Sequence, residues 1–371
     1  GKFTYEMPNN QSYDGKEITA EISTPKIIGL YVDKELKALT TPMINSKTST
    51  NTSFNYAYGI PISNADDLES FMKQTGNYTD RSSNSVYIIT NNINMSNKGV
   101  ISYSSNSFGG KFDGDYHTIT GLQNPLIGYV GFSTTSNRDS LAIIKNLVIN
   151  EAYINTTKFS GQAAGGAVLA MLAKYAHIEN IFLTNATVKA GYDAGMLVGG
   201  AGFDSNNQNG YIEVVRCGSA GGVITTTAGG SSAGGLIGHL RSGMLSDCFA
   251  LSSSVNLAKD GGAKSGNVGG VVGSSSVGIQ NCFSNSLIGN ANNRGGIVAT
   301  ANSANSNLYY DKSILNDNLP DILKGEGKAT KELVGNGLEE NYGLENWTYK
   351  NGFYPRLSWT SNHPIAKLRS E

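Results

Sequence analysis

The amino-acid sequence predicts an all-β chain wound as a right-handed parallel β-helix, with short helical and aromatic caps and a small β element before it. Three observations predict it. Segments of the form small-Gly-apolar recur between residues 165 and 298. A second short segment follows each of them at a near-constant distance. All three cysteines fall at one position of that second segment.

The first set comprises Gly165-Gly166-Ala167-Val168, Ala194-Gly195-Met196-Leu197-Val198-Gly199, Gly234-Gly235-Leu236-Ile237-Gly238, Gly269-Gly270-Val271-Val272-Gly273 and Gly295-Gly296-Ile297-Val298. The second set comprises Ile178-Glu179-Asn180-Ile181, Val214-Val215-Arg216-Cys217, Leu245-Ser246-Asp247-Cys248, Ile279-Gln280-Asn281-Cys282 and Ser306-Asn307-Leu308-Tyr309. Gly235 to Cys248 is 13 residues, and Gly270 to Cys282 and Gly296 to Leu308 are each 12. Between segments, Gly235 to Gly270 is 35 and Gly270 to Gly296 is 26. A solenoid tolerates this mixture, because turns project outward while stacked strands keep their spacing.

Local chemistry agrees. Ile178, Ile181 and Leu183 bracket polar neighbours, and Val223 to Thr227 is β-branched throughout, as a strand prefers. The glycine pairs break any helical period and suit coil corners. Cys217, Cys248 and Cys282 are expected to stack inward as a ladder of small apolar groups, since coils repeat every ~4.8 Å. An odd cysteine count without metal-site spacing argues against a disulfide framework or zinc.

A solenoid needs its ends covered. Ser63 and Asn64 precede Asp66, Asp67, Leu68, Phe71 and Met72, which predicts an N-capped amphipathic helix. Ser85 to Met95 follows as a first strand. At the other end Thr330 heads a helical stretch through Leu333. Trp347, Tyr349, Phe353, Tyr354, Pro355, Leu357 and Trp359 then read as a lid on the core. Residues 1–60 read as a small β element (Ile18 to Ile22 and Ile27 to Val32) with a polar linker from Asn45 to Asn55. Residues 61–360 read as the β-helix with its caps, and 361–371 as a polar tail.

Composition narrows the function. Charged residues are 15 % of the chain, against about 25 % in an average domain. The net charge is −1 and no basic stripe is present, so nucleic acid is not an expected partner. No apolar run approaches the ~20 residues of a membrane span. The chain opens Gly-Lys-Phe without Met, which reads as a cut leader, so its lack of a secretory signal does not oppose the expected secreted or cell-surface location.

Several groups invite a chemical role. Asp113, Asp115 and His117 place carboxylates beside an imidazole, but Asp-Gly supplies a turn and strand neighbours face opposite ways. His117, His177, His239 and His363 form no H-E-x-x-H pair, which excludes a zinc peptidase of that type. Glu179, Arg216, Asp247 and Asn281 take near-equivalent coil positions and are expected to form an outer polar stripe, with Asp247 and Arg216 paired between coils. Tyr309, Tyr310 and Tyr192 are candidate contacts for a glycan or protein. Phe203 to Gly210 reads as an outward loop. Thr225-Thr226-Thr227 lacks the recurrence an ice-binding array needs.

Three stretches together resemble a known group. Phe112-Asp113-Gly114-Asp115-Tyr116-His117-Thr118-Ile119 resembles the F-D-G-x-x-H-T-I segment of bacterial parallel β-helices. Gly-Gly-Leu-Ile-Gly at 234–238 and Gly-Gly-Val-Val-Gly at 269–273 resemble the GLUG motif. Gly352 to Trp359 resembles the YP-x-L-x-W tail that closes such domains. The resemblance covers residues 60–360. It implies a GLUG-type β-helix of bacterial surface proteins, like the non-catalytic region of streptococcal immunoglobulin A1 proteases.

The resulting expectation is a monomeric, adhesin-like or spacer domain that binds a host or environmental glycan or protein. No catalytic, cofactor-binding or metal-ligating residue is assigned. The alternative is a β-helix polysaccharide lyase or glycoside hydrolase, which would need converging carboxylates.

Overall fold

The computed structural model describes residues 29–32, 35–38, 58–74, 86–101, 107–132, 139–158, 165–203, 210–227, 231–257, 266–303, 305–315 and 325–360. The runs at Ile18 to Ile22 and Asn45 to Asn55 lie outside them. Of the N-terminal β element, Gly29–Val32 pairs antiparallel with Glu35–Ala38 and touches Tyr58–Ile62.

From Tyr58 onward the chain alternates between parallel stacks. One stack holds seven short strands, among them Ala170–Ala173, Val198–Ala201, Ile237–Leu240, Val272–Ser275 and Val298–Ala301. After each of these strands the chain crosses to a larger stack, whose longest strands are Ala142–Asn150, Tyr175–Ala190, Gly218–Thr226 and Gly243–Leu257. The shorter Ile279–Ser284, Ser306–Asp311 and Glu326–Lys328 end that series. Ser232–Gly234, Asn267–Gly269 and Asn293–Gly295 form a third parallel ladder at three of the glycine-led segments. Alternation of this kind, parallel at every step, is a parallel β-helix. The spacing between stacked partners varies from 39 residues (Val198 to Ile237) to 17 (Tyr309 to Glu326) without breaking register.

The long strands survive two bends per coil because left-handed residues stack at each bend. Asn146, Asn180, Arg216, Asp247, Asn281 and Asn307 all have φ between 51° and 57°. Their neighbours in the ladder, Lys145, Glu179, Val215, Ser246, Gln280 and Ser306, are successive Cα partners. A second bend repeats at Gly121, Glu151, Asn185, Gly221 and Ser252. Asn and Asp tolerate this conformation better than most residues, which explains their recurrence just before the cysteine position.

The cysteine ladder is present. Cys248 pairs with Cys282 and Cys282 with Leu308. The Cys217 N–H points at Cys248 Sγ at 3.4 Å. All three thiols are free and fully buried. Burial pushes the Cys217 and Cys248 thiols well above their usual range.

One residue further along, every side chain points the other way, out of the core. That row reads Val148, Phe182, Gly218, Phe249, Phe283 and Tyr309. These apolar residues are nonetheless buried. The C-terminal segment covers them: Leu333, Leu338, Tyr342, Trp347, Tyr354 and Leu357 form one cluster with the outer aromatic row. Gly218 is required within it, because a Cβ there would stand 2.3 Å from the Phe249 ring.

This corrects the expected lid. The aromatic segment packs along the flank as a strap and runs back across the coils. The Trp347 indole N–H donates to Asp247 Oδ1 at 3.1 Å, and that of Trp359 to the Arg216 carbonyl at 3.1 Å. Asp311 anchors the strap, accepting from Thr330 Oγ1 at 2.7 Å and the Tyr354 hydroxyl at 2.6 Å. Leu315, not the tryptophans, joins the main core near the last coil.

The N-terminal cap is as the sequence predicts. The helix Ala65–Gln74 is capped by Asn64, whose Oδ1 accepts from the Asp66 and Asp67 N–H groups at 2.9 and 3.0 Å. Its Leu68, Phe71 and Met72 enter the core, with Phe71 packed on Tyr87, Phe108 and Phe112. The Ser85 to Met95 run resolves into the strands Val86–Ile89 and Ile93–Asn94.

Candidate functional site

On the outer face, just before the first bend, the coils bring charged side chains together. Stacking places His177 beside Glu213, with Ile178 over Val214 and Glu179 over Val215. His177 Nδ1 lies 2.9 Å from Glu213 Oε2, and its Nε2 lies 2.8 Å from Glu179 Oε2. Arg216 donates through Nη2 to Glu179 Oε1, and through Nε to Asn180 Oδ1 at 3.1 Å. Asn180 donates to Asn146 Oδ1 at 2.9 Å, and Asn146 to Asp113 Oδ1 at 3.1 Å. Lys145 Nζ is 3.3 Å from Asp113 Oδ2. A continuous polar chain thus runs from Glu213 to Asp113.

The electrostatics follow from this crowding. The hydrogen bond to Glu179, opposed by burial and aided by Glu213, raises the His177 imidazole above its usual value. Protonated, it donates to both carboxylates. Glu179, bonded to His177 and paired with Arg216, is lowered to about 2. It is therefore a fixed anion.

Two aromatic rings border the chain of charges. Tyr116 is 43 % exposed and left-handed at φ 59°, held there by the turn that Asp113-Gly114 starts. Its ring centroid is 5.8 Å from that of Trp359, at an angle of 45°. Burial, then the Asp113 and Glu179 carboxylates, push the Tyr116 phenol up, while Asn180 and Arg216 pull it down. The hydroxyl thus senses the same cluster.

The expected sites fare differently. Asp113 closes the turn: its Oδ1 accepts from the Asp115 N–H at 3.0 Å. His117 is half-buried, and its N–H donates to Gly114 O at 2.8 Å. Glu179 and Arg216 are brought together, but Glu179 is one residue out of the row that holds Arg216, Asp247 and Asn281; Asn180 takes that place. The Arg216–Asp247 pair is replaced by Arg216–Glu179, because the bend turns Asp247 toward Asn281 and Trp347. Tyr309 and Tyr310 are buried, the first under the strap with Lys328 4.7 Å from its ring, the second in the core. Neither is the surface contact expected of it. Tyr192 is half-buried. Phe203 is fully buried against Tyr129, Met171 and Leu172, so it does not point outward; residues 204–209 lie outside the described ones. Among the described residues no group of three or more His, Cys, Asp or Glu could hold a metal ion. A shallow cleft of about 190 Å³ lies at the last coil, between Asn305–Tyr309 and Gly325–Glu326.

His177 and Glu213 were within reach of the sequence. Sliding Ile178 onto Val214, as the repeat requires, sets His177 opposite Glu213. Trp359 was not: it lies 143 residues from Arg216, and no repeat relates the two.

Fold and site together define a parallel β-helix with a laterally packed C-terminal strap. No protein-family model matches the chain, and no curated protein matches it. Among solved structures it is similar to a Bacteroides ovatus protein provisionally named an immunoglobulin A1 protease. The TM-score is 0.56 at 20 % identity, over 81 % of this chain and 93 % of the other. At that identity the likeness is one of fold.

Proposed function

We propose that this chain is a non-catalytic module of a secreted or surface-displayed bacterial protein, a monomeric stiff spacer of the GLUG type that presents a binding surface to a glycan or protein. The observation that carries the proposal is the use made of its outer polar groups. Asn146, Asn180 and Arg216 bond in series across three coils, and Asp247, Asn281 and Asn307 across three more. Six such rungs at about 4.8 Å span about 24 Å of flank, tied in two runs of three that meet between Arg216 and Asp247. Glu179 and Glu213 share one imidazole, and Glu179, held ionised at about 2, has no proton to give as a general acid near neutral pH. These groups brace the stack.

The purified chain is tested on a polysaccharide panel for lyase and hydrolase turnover, and on glycan and protein arrays for binding. The expected result is saturable binding without turnover. Turnover that disappears in Glu179→Gln overturns the proposal.

A further inference from the structure

The rings of Tyr116 and Trp359 and the cluster His177, Glu179, Glu213 and Arg216 belong to three distant stretches of chain, yet they adjoin on one outward face. The four charged side chains are each between 24 % and 31 % exposed, so their edges reach solvent while their mutual bonds fix their planes. Fixed carboxylate, imidazole and guanidinium edges offer donors and acceptors together at little entropic cost. A ring such as Tyr116 beside them supplies an apolar face next to that polar edge. That combination matches a ligand with an apolar ring face and hydroxyls around its rim.

Charge selects further. Asp113, Asp115, Glu179 and Glu213 are met by Lys145, Arg216 and His177, leaving one net negative charge when the imidazole is protonated and two when it is neutral. A polyanion gains nothing from such a surface, whereas a neutral polyol can use both signs. We infer that Tyr116, Trp359, Glu179 and Arg216 form a shallow subsite for a neutral saccharide ring, stacked on Tyr116 and hydrogen-bonded at its rim by the charged cluster. The subsite exists only when the strap is docked, because Trp359 arrives with it and is fixed by its bond to the Arg216 carbonyl. This inference rests on the binding reading above and names its ligand class.

The chain has two tryptophans, and Trp347 is fully buried, so ligand-dependent emission reports Trp359. The probes are hexasaccharides of β-1,4-linked glucose, β-1,4-linked N-acetylglucosamine and α-1,4-linked galacturonate, titrated by calorimetry and by emission. At least one neutral hexasaccharide is expected to bind and to change Trp359 emission, with galacturonate weaker. Tyr116→Ala is expected to weaken binding about tenfold, the loss of roughly one stacking contact; Tyr116→Phe, which keeps the ring, restores it. Circular dichroism checks that each variant is folded. Neutral-glycan binding unchanged by Tyr116→Ala and Trp359→Phe overturns this subsite and leaves the binding module standing. Tighter binding of galacturonate, or array binding to proteins alone, overturns the saccharide assignment. Silence on every array overturns both.

Discussion

Replacing Phe283 with alanine should detach the strap before it disturbs the coils. Phe283 is fully buried, yet it points out of the solenoid. Its ring centroid lies 5.6 Å from Phe249 and Trp347, 6.2 Å from Tyr354 and 6.4 Å from Tyr342. Three of those four partners belong to the strap. Removing such a ring costs about 3–5 kcal/mol, the transfer term plus a cavity that rigid neighbours fill poorly. The parallel ladder through Cys282, Phe283 and Ser284 uses backbone groups and stays intact, so the loss falls on strap docking. In a Trp359→Phe background the emission of Trp347 reports the strap, and far-ultraviolet circular dichroism reports the coils. With a urea slope of about 1–3 kcal/mol per molar, the emission midpoint should fall by at least about 1 M while the dichroism midpoint moves much less. A solenoid need not unfold as one unit, so separate transitions are physically allowed. Coincident transitions at the parent midpoint would refute the assignment of strap energy to the outer aromatic row.

Other consequences can be measured alongside. His177 is raised above its unfolded value of 6.5, so its stabilisation is full below 6.5 and fades as pH rises through the folded value; Glu179 is lowered from 4.5 to about 2, so its stabilisation is full above 4.5 and fades as pH falls toward 2. Thermal stability should therefore peak between pH 4.5 and 6.5, with the acid side flattened in Glu179→Gln and the alkaline side flattened in His177→Asn; identical profiles in all three proteins would contradict the network. Asn281→Ala should cost about 1–2 kcal/mol from its left-handed backbone alone, plus two corner bonds, and Asn281→Gly should cost less; urea titration showing the reverse order would remove the conformational argument. Gly218→Ala should destabilise by about 1–3 kcal/mol through the Phe249 ring, and Phe249→Leu should restore part of that loss in a double-mutant cycle. The three thiols should resist a soluble aromatic disulfide reagent in the folded chain and react together on unfolding, since all three are fully buried and burial disfavours the thiolates of Cys217 and Cys248; rapid labelling of any one in the native state would place it outside the core.

The β-helix was legible because its information is local and repeated. A strand that stacks on its predecessor must offer the same small or apolar residue at the same rung. Gly234, Gly269 and Gly295, or Cys217, Cys248 and Cys282, could therefore be aligned without a structure. The helix at Ala65–Gln74 was legible for a related reason, since Asn64 and the Leu68, Phe71 and Met72 stripe lie within three turns. The strap was not. Phe182, Phe249 and Phe283 follow the inward rung by one residue, so alternation alone assigns them to solvent; only a segment from far along the chain explains why they are aromatic. The lid reading of Trp347 to Trp359 failed on the same point, because aromatic content says that a segment will be buried but not against which surface. The charged cluster lies between these cases. Pairing of His177 with Glu213 follows from repeat alignment, whereas the choice of Glu179 over Asp247 as the partner of Arg216 depends on the left-handed bend at Asn180, Arg216 and Asp247. The sequence by itself determined the coil, its inward ladder and its first cap, because stacking repeats the same short-range constraint at every turn. The tertiary structure alone decided where the C-terminal aromatics dock and which charges meet, because those contacts join residues that no period relates.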